Sequence, residues 1–135
     1  MSRKVAREYA YKLVFEFLFS NTPNNRTYQL FTCADLDDND VSYVEKVYFG
    51  IIKEYSSLIS IIENYSQGFS IDRIYKTDLS ALLIAIYEMK NIDEIPLSVS
   101  INEAVVLVKK YSTEKSNSFV NGILSSVYKS ITKEE

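Results

Sequence analysis

Histidine and tryptophan are absent from this sequence, and cysteine occurs once, at Cys33. Without histidine there is no Ser-His or Cys-His nucleophile pair and no imidazole metal ligand. A single thiol makes neither an internal disulfide nor a multi-thiolate zinc site, so Cys33 reads as a small hydrophobe. Three glycines and two prolines are too few turn formers for a sandwich or barrel of many short strands. Neither G-x-x-x-x-G-K-[ST] nor G-x-G-x-x-G occurs, so the usual phosphate-cradling loops are missing. No run approaches the roughly 18 apolar residues of a membrane span. The start, Met1-Ser-Arg-Lys-Val-Ala-Arg7, meets charge again at Glu8 and holds no signal-peptide core. These absences lead us to expect a cytoplasmic protein that is not an enzyme and carries no metal or cofactor. Carboxylate-only catalysis stays open in principle, although no arrangement singles out a reactive pair.

What is present suits one compact domain. The chain has 135 residues, 47% of them apolar and 24% charged, enough apolar content to build a core and too much to stay disordered. Fifteen Lys and Arg against 18 Asp and Glu give a net charge of −3, so the surface is not uniformly basic. A local basic patch is still allowed, because counterion release depends on the surface that faces the phosphates.

Apolar spacing predicts helices throughout. Ala6, Ala10, Leu13, Val14, Phe17 and Leu18 mark an amphipathic helix over residues 3–20. Asn21-Thr-Pro-Asn-Asn25 ends it, and a short helix over about 27–33 follows. The acidic stretch 35–40 supplies an N-cap to a long helix whose apolar face runs from Val41 to Ile62. Read as one rod of about 26 residues, that helix would span roughly 40 Å. Residues 71–75 read as a single turn, and a strong helix is expected over 77–90. Ile95-Pro96 breaks the chain, Ser100-Ile-Asn-Glu103 fits a capping box, and Ser116 is placed to cap a last helix. The fold class is all-α: a six- or seven-helix bundle of two small helical subdomains, about 3–66 and 71–132, in a single domain over 1–135.

Two surfaces could hold chemistry. Arg3, Arg7, Tyr11 and Phe15 are spaced by four and form a slowly winding row, with Lys4 beside it. Cations next to aromatics can hold phosphates and stack unpaired bases. Cations at a helix N-terminus also oppose its dipole, a mild cost that invites a functional reason. Periodicity alone leaves a solvated charged face, with Tyr11 and Phe15 partly packed, as the simpler account. The second surface is residues 109–119, where Lys109, Lys110 and Lys115 accompany hydroxyl and amide donors and Phe119. By itself it is also an ordinary polar connection.

These same residues carry a family resemblance. Arg3-Lys-Val-Ala-Arg-Glu-Tyr-Ala10, Leu83-Ile-Ala-Ile-Tyr-Glu88, Ile95-Pro with Ser100-Ile-Asn-Glu-Ala-Val105, and Phe119-Val-Asn-Gly-Ile-Leu124 lie in the order and spacing of the NusB family. The resemblance implies an all-α fold and a transcription antitermination factor. It further implies binding of boxA-type RNA in nascent ribosomal RNA leaders, together with the ribosomal protein NusE, within the RNA polymerase antitermination complex. By matching positions, it places Arg3, Lys4, Arg7, Tyr11 and Phe15 on an RNA face, with Lys115, Ser118 and Phe119 beside them. Asp78 and Glu88 fall on the helix similar to the family's partner surface. The free protein of some members is a homodimer. Departures from the pattern are Phe15 for a common tyrosine, Lys115 for an acidic residue, Leu83 for an arginine, and a thinner basic N-terminus. These suggest weak RNA affinity for the isolated chain. The rival readings are a helical adaptor acting through protein contacts, or a NusB-like accessory domain assisting an RNA methyltransferase. Gly122 is expected at a close helix crossing, and Arg7→Ala is expected to weaken RNA binding without changing the melting temperature.

Overall fold

The computed structural model describes residues 2–32, 36–66 and 68–133; Cys33 lies outside them. Seven α-helices are described: α1 (Ser2–Ser20), α2 (Asn25–Thr32), α3 (Asp38–Lys53), α4 (Tyr55–Tyr65), α5 (Lys76–Asn91), α6 (Leu97–Tyr111) and α7 (Glu114–Lys133). A 3-10 turn, Ile71–Arg73, precedes α5, and the described residues contain no strand. The all-α expectation holds.

α5 is the centre of the molecule. Its sequence holds no Gly or Pro, and Leu79, Ala81, Leu82, Leu83, Ile84, Ala85, Ile86 and Met89 project on every side rather than along one stripe. Residues 78–89 are all buried because α1, α3, α4, α6 and α7 surround the helix. Leu13, Tyr48, Ile51, Leu58, Ile62, Leu82, Leu83, Ile86 and Leu124 are enclosed in the same core. Each such aliphatic side chain contributes about 1.5–3 kcal/mol on leaving water.

Local chemistry moves several helix boundaries from the expected places. The long rod is two helices, α3 and α4, separated at Glu54, whose backbone (φ −100°, ψ 17°) leaves helical values. Unbroken apolar periodicity hid this, since a one-residue break barely shifts the phase of the face. On α3, Gly50 permits a close approach: a Cβ there would overlap the ring and hydroxyl of Tyr87 on α5. Asp37 caps α3 by accepting from Asp40 N–H at 2.9 Å, as the acidic stretch suggested.

The capping box at Ser100 does not form. α6 begins at Leu97, directly after Pro96, so Ser100 lies inside the helix. Its hydroxyl instead donates to Glu88 Oε1 at 2.8 Å, and Glu103 turns toward α1. Ser116 is likewise one turn too late to be the cap. Thr113 Oγ1 accepts from Ser116 N–H at 3.2 Å, which frees the Ser116 hydroxyl for Asp78. Gly122 meets nothing where a Cβ would stand and is exposed, so no close helix crossing explains it.

Candidate nucleic-acid interface

The row Arg3, Arg7, Tyr11 and Phe15 advances about 40° around the helix at each step of four residues. That drift decides its fate. Arg3 is exposed, Arg7 and Tyr11 pass beneath neighbouring helices, and Phe15 re-emerges half-buried.

Arg7 is 5% exposed and Glu88 is fully enclosed. Arg7 Nε donates to Glu88 Oε2 at 2.9 Å and Nη2 to Oε1 at 3.3 Å. The Tyr43 hydroxyl also donates to Oε2, and Ser100 supplies the fourth hydrogen bond. Arg7 Nη1 lies 3.6 Å from Glu103 Oε1. Burial works against the charged Arg7, but its bond to Glu88 and the nearby charge of Tyr43, Glu88 and Glu103 hold its pKa above the ordinary value. Burial, with the charge of Glu88, pushes the Tyr43 hydroxyl well above the usual tyrosine range. This cluster ties α1, α3, α5 and α6 together. Neither Arg7 as an RNA contact nor Glu88 as a partner contact fits the fold, because both heads are sealed from solvent.

Tyr11 and Asp78 are inside as well. The Tyr11 hydroxyl donates to Thr77 O at 2.9 Å, and its ring stacks on Tyr111 at 5.5 Å between centroids. Burial raises its pKa, assisted by the nearby charge of Asp78. Asp78, 3% exposed, accepts from the Ser112 hydroxyl at 2.6 Å and from the Ser116 hydroxyl at 2.8 Å. Asp78 thereby fixes the α6–α7 connection onto the first turn of α5, and its oxygens are occupied by that task. Of the helix matched to a partner surface, only the ends reach solvent, at Lys76 and Lys90.

The remaining candidates are accessible. Arg3 Nε pairs with Asp40 at 2.9 Å and its guanidinium lies 4.6 Å over the Tyr43 ring. Lys4 is exposed, 3.8 Å from Glu103. Lys115 and Ser118 are exposed, and Phe119 is half-buried with an edge contact to Phe69 at 5.6 Å. Phe15 meets Phe19 edge-on at 5.0 Å.

α6 runs beside α1 in the same direction, which brings further cations into line. Lys110 Nζ lies 3.1 Å from Glu8 and 5.3 Å from the Tyr111 ring, while Lys12 Nζ is 5.7 Å from that ring on its own side. Burial pushes the Glu8 carboxyl up, but the Tyr111 hydroxyl and Lys110 outweigh it and hold its pKa below the ordinary range. Lys4, Lys12, Lys110, Tyr111 and Phe15 thus follow one seam from the start of α1 toward the α6–α7 connection. Among the described residues no group of three or more His, Cys, Asp or Glu is placed to hold a metal ion, and no helix is long and apolar enough to cross a membrane.

The seam ends at residues that spacing did not single out. Phe19, Phe69 and Tyr75 are exposed aromatics, and Arg73 and Lys76 stand among them. Their sequence signal was an interleaving of aromatic and basic residues across Phe69-Ser-Ile-Asp-Arg-Ile-Tyr-Lys76.

The NusB family model matches residues 4–129. The chain belongs to the NusB family. The transcription antitermination protein NusB of Acetivibrio thermocellus is 41% identical over 133 residues, covering 96% of this chain and 90% of the relative. A solved structure of T. maritima NusB superposes with a TM-score of 0.85 at 29% identity, covering 96% of this chain and 92% of that one. A structure of antitermination factors NusB and NusE in complex with double-stranded RNA matches with a TM-score of 0.85 at 26% identity, over 96% and 97% of the two chains. The seven helices built around the buried Arg7–Glu88 pair thus follow the fold of solved NusB structures.

Proposed function

We propose that this NusB-family protein is a transcription antitermination factor that binds boxA-type single-stranded RNA of nascent ribosomal RNA together with NusE, in the cytoplasm. It has no catalytic role in this reading. The observation that carries the proposal is the α1–α6 seam: exposed Lys12 and Lys110 flank the Tyr111 ring, with Lys4 toward the start of α1, Phe15 toward the α6–α7 connection, and Lys115 and Phe119 beyond it on α7. Cations there meet phosphates, and aromatic faces accept unpaired bases. A relative solved with NusE and RNA supports the partner.

The direct contacts are Arg3, Lys4, Phe15, Lys115, Ser118 and Phe119. Arg7 and Tyr11 act behind them by fixing α1 against α5 and α6; Glu88 serves that same tie through Arg7, and Asp78 holds the α6–α7 connection on α5. Several seam cations already face a carboxylate, Lys4 with Glu103 and Lys110 with Glu8. The isolated chain therefore binds weakly, and the partner's added surface raises affinity.

Binding of a short boxA-like RNA, measured with and without NusE, tests the proposal. Salt-dependent binding that tightens with NusE is the expected result. An absence of RNA binding in both conditions overturns it and favours an adaptor that binds only protein.

A further inference from the structure

Lys4, Glu8 and Lys12 follow one another on α1 at a spacing of four, so a carboxylate stands midway along a row of seam cations. Lys110 reaches that carboxylate from α6. Its Nζ lies 3.1 Å from both Glu8 oxygens, and Lys12 Nζ lies 3.6 Å from Oε2. The Tyr111 hydroxyl donates to the same Oε2 and so holds the carboxylate at the two ammonium groups. The Lys110 pKa is held above its ordinary value, first by the bond to Glu8 and then by the charge of Glu8. Lys109 and Lys115, by contrast, form no ion pair among the described residues.

This arrangement adds little to folding, because Lys12 and Lys110 are exposed and solvent screens such pairs. It weighs more on an incoming anion. A phosphate that meets Lys12 or Lys110 must take the ammonium group from Glu8 and settle beside a negative charge.

Resting on the RNA reading above, we infer that Glu8 is an autoinhibitory counter-ion of the seam: it occupies Lys12 and Lys110 in the free protein, and RNA binds by exchanging phosphate for its carboxylate. The Tyr111 hydroxyl keeps Glu8 close during the exchange, so the ion pairs close again when RNA leaves. The exchange has a signature in salt dependence. Lysines already neutralised by a carboxylate hold few counterions, so a phosphate that replaces the carboxylate releases few.

The test measures binding of a short boxA-like RNA to the full chain with NusE at several salt concentrations, for the wild type, Glu8→Gln and Glu63→Gln. Glu63 is exposed on α4, which packs against α3, α5 and α7, and it forms no ion pair among the described residues. Glu8→Gln is expected to bind about fivefold more tightly at low salt, with a slope steeper by up to about 1.4, or roughly 0.7 for each unmasked lysine. Glu63→Gln loses the same charge and keeps the wild-type affinity and slope. Lys12→Gln is then compared in both backgrounds, and it weakens RNA binding more beside Gln at position 8, because only there is Lys12 free. Retained helicity and NusE binding check that the variants fold.

Unchanged affinity and slope in Glu8→Gln overturn the inference while the RNA reading stands. Weaker binding also overturns it and makes Glu8 a support of the seam. If Glu8→Gln and Glu63→Gln tighten binding equally, net charge alone is responsible and the inference fails. It fails too if Lys12→Gln costs the same in both backgrounds. Absence of RNA binding by the wild type overturns both readings.

Discussion

The Arg7 guanidinium and the Glu88 carboxylate meet through two hydrogen bonds, at 2.9 Å and 3.3 Å, in a site closed to solvent. Removing one member leaves the other charged and buried, which costs about 3–5 kcal/mol. Arg7→Ala should therefore lower Tm by roughly 10 °C or more, contrary to the unchanged melting that the sequence row suggests. Thermal unfolding followed by circular dichroism checks this. A shift under 2–3 °C, within the range of an ordinary surface substitution, would refute the buried role.

Lys4 and Lys115 are exposed, so their loss should read out in RNA binding alone. Lys4→Ala and Lys115→Ala should each reduce the salt slope of boxA-like RNA binding by up to about 0.7, with Tm unchanged. Titrations at several salt concentrations measure the slope. The same slope in both variants would remove these two residues from the RNA face.

Asp78 holds Ser112 and Ser116, one at each end of the α6–α7 connection. Asp78→Ala leaves those hydroxyls without their shared acceptor and should cost about 1–3 kcal/mol. Hydrogen exchange of residues 111–117 should accelerate more than that of α6 or the later turns of α7. Uniform acceleration along the chain would mean that Asp78 contributes to the core alone.

Glu8 carries a lowered pKa, through Tyr111 and Lys110 acting against burial. A carboxylate lowered on folding adds stability that is present above its unfolded pKa and disappears as pH falls through the folded one. The α1–α6 tie should therefore weaken on acidification from the ordinary glutamate range downward. Because Glu8 is only part-buried and its partner Lys110 is exposed, solvent screens the pair and the effect is small, under about 1 kcal/mol. Glu8→Gln should flatten stability against pH in that window, and an unchanged pH profile would show that the tie contributes nothing.

The helices were legible because their apolar faces repeat at helical spacing, and the α3 cap because Asp37 stands where the apolar face begins. The break at Glu54 was not, since it leaves the periodic face intact. Arg7 misled for a physical reason: a cation in a basic N-terminal stretch reads as solvated, and its partner Glu88 lies far along the chain in a run that reads as apolar. Tertiary pairing of that kind has no local signature. Ser100 and Ser116 misled differently, for each has the composition of a cap while its hydroxyl serves a carboxylate on α5. Among the accessible residues, Lys4 and Phe15 kept surface positions that spacing could suggest, whereas Arg73 and Tyr75 gained theirs only through the 3-10 turn before α5.

The enclosed helix α5 carries both Asp78 and Glu88, about 15 Å apart along its axis. One carboxylate anchors the α6–α7 connection and the other anchors the start of α1. With residues 78–89 walled in on all sides, their amides have no route to exchange short of opening the whole core. Slowest exchange should therefore map onto this one helix and report the global free energy. Damage at either anchor is shared by the other, because the two ends of the seam come apart in the same unfolding event.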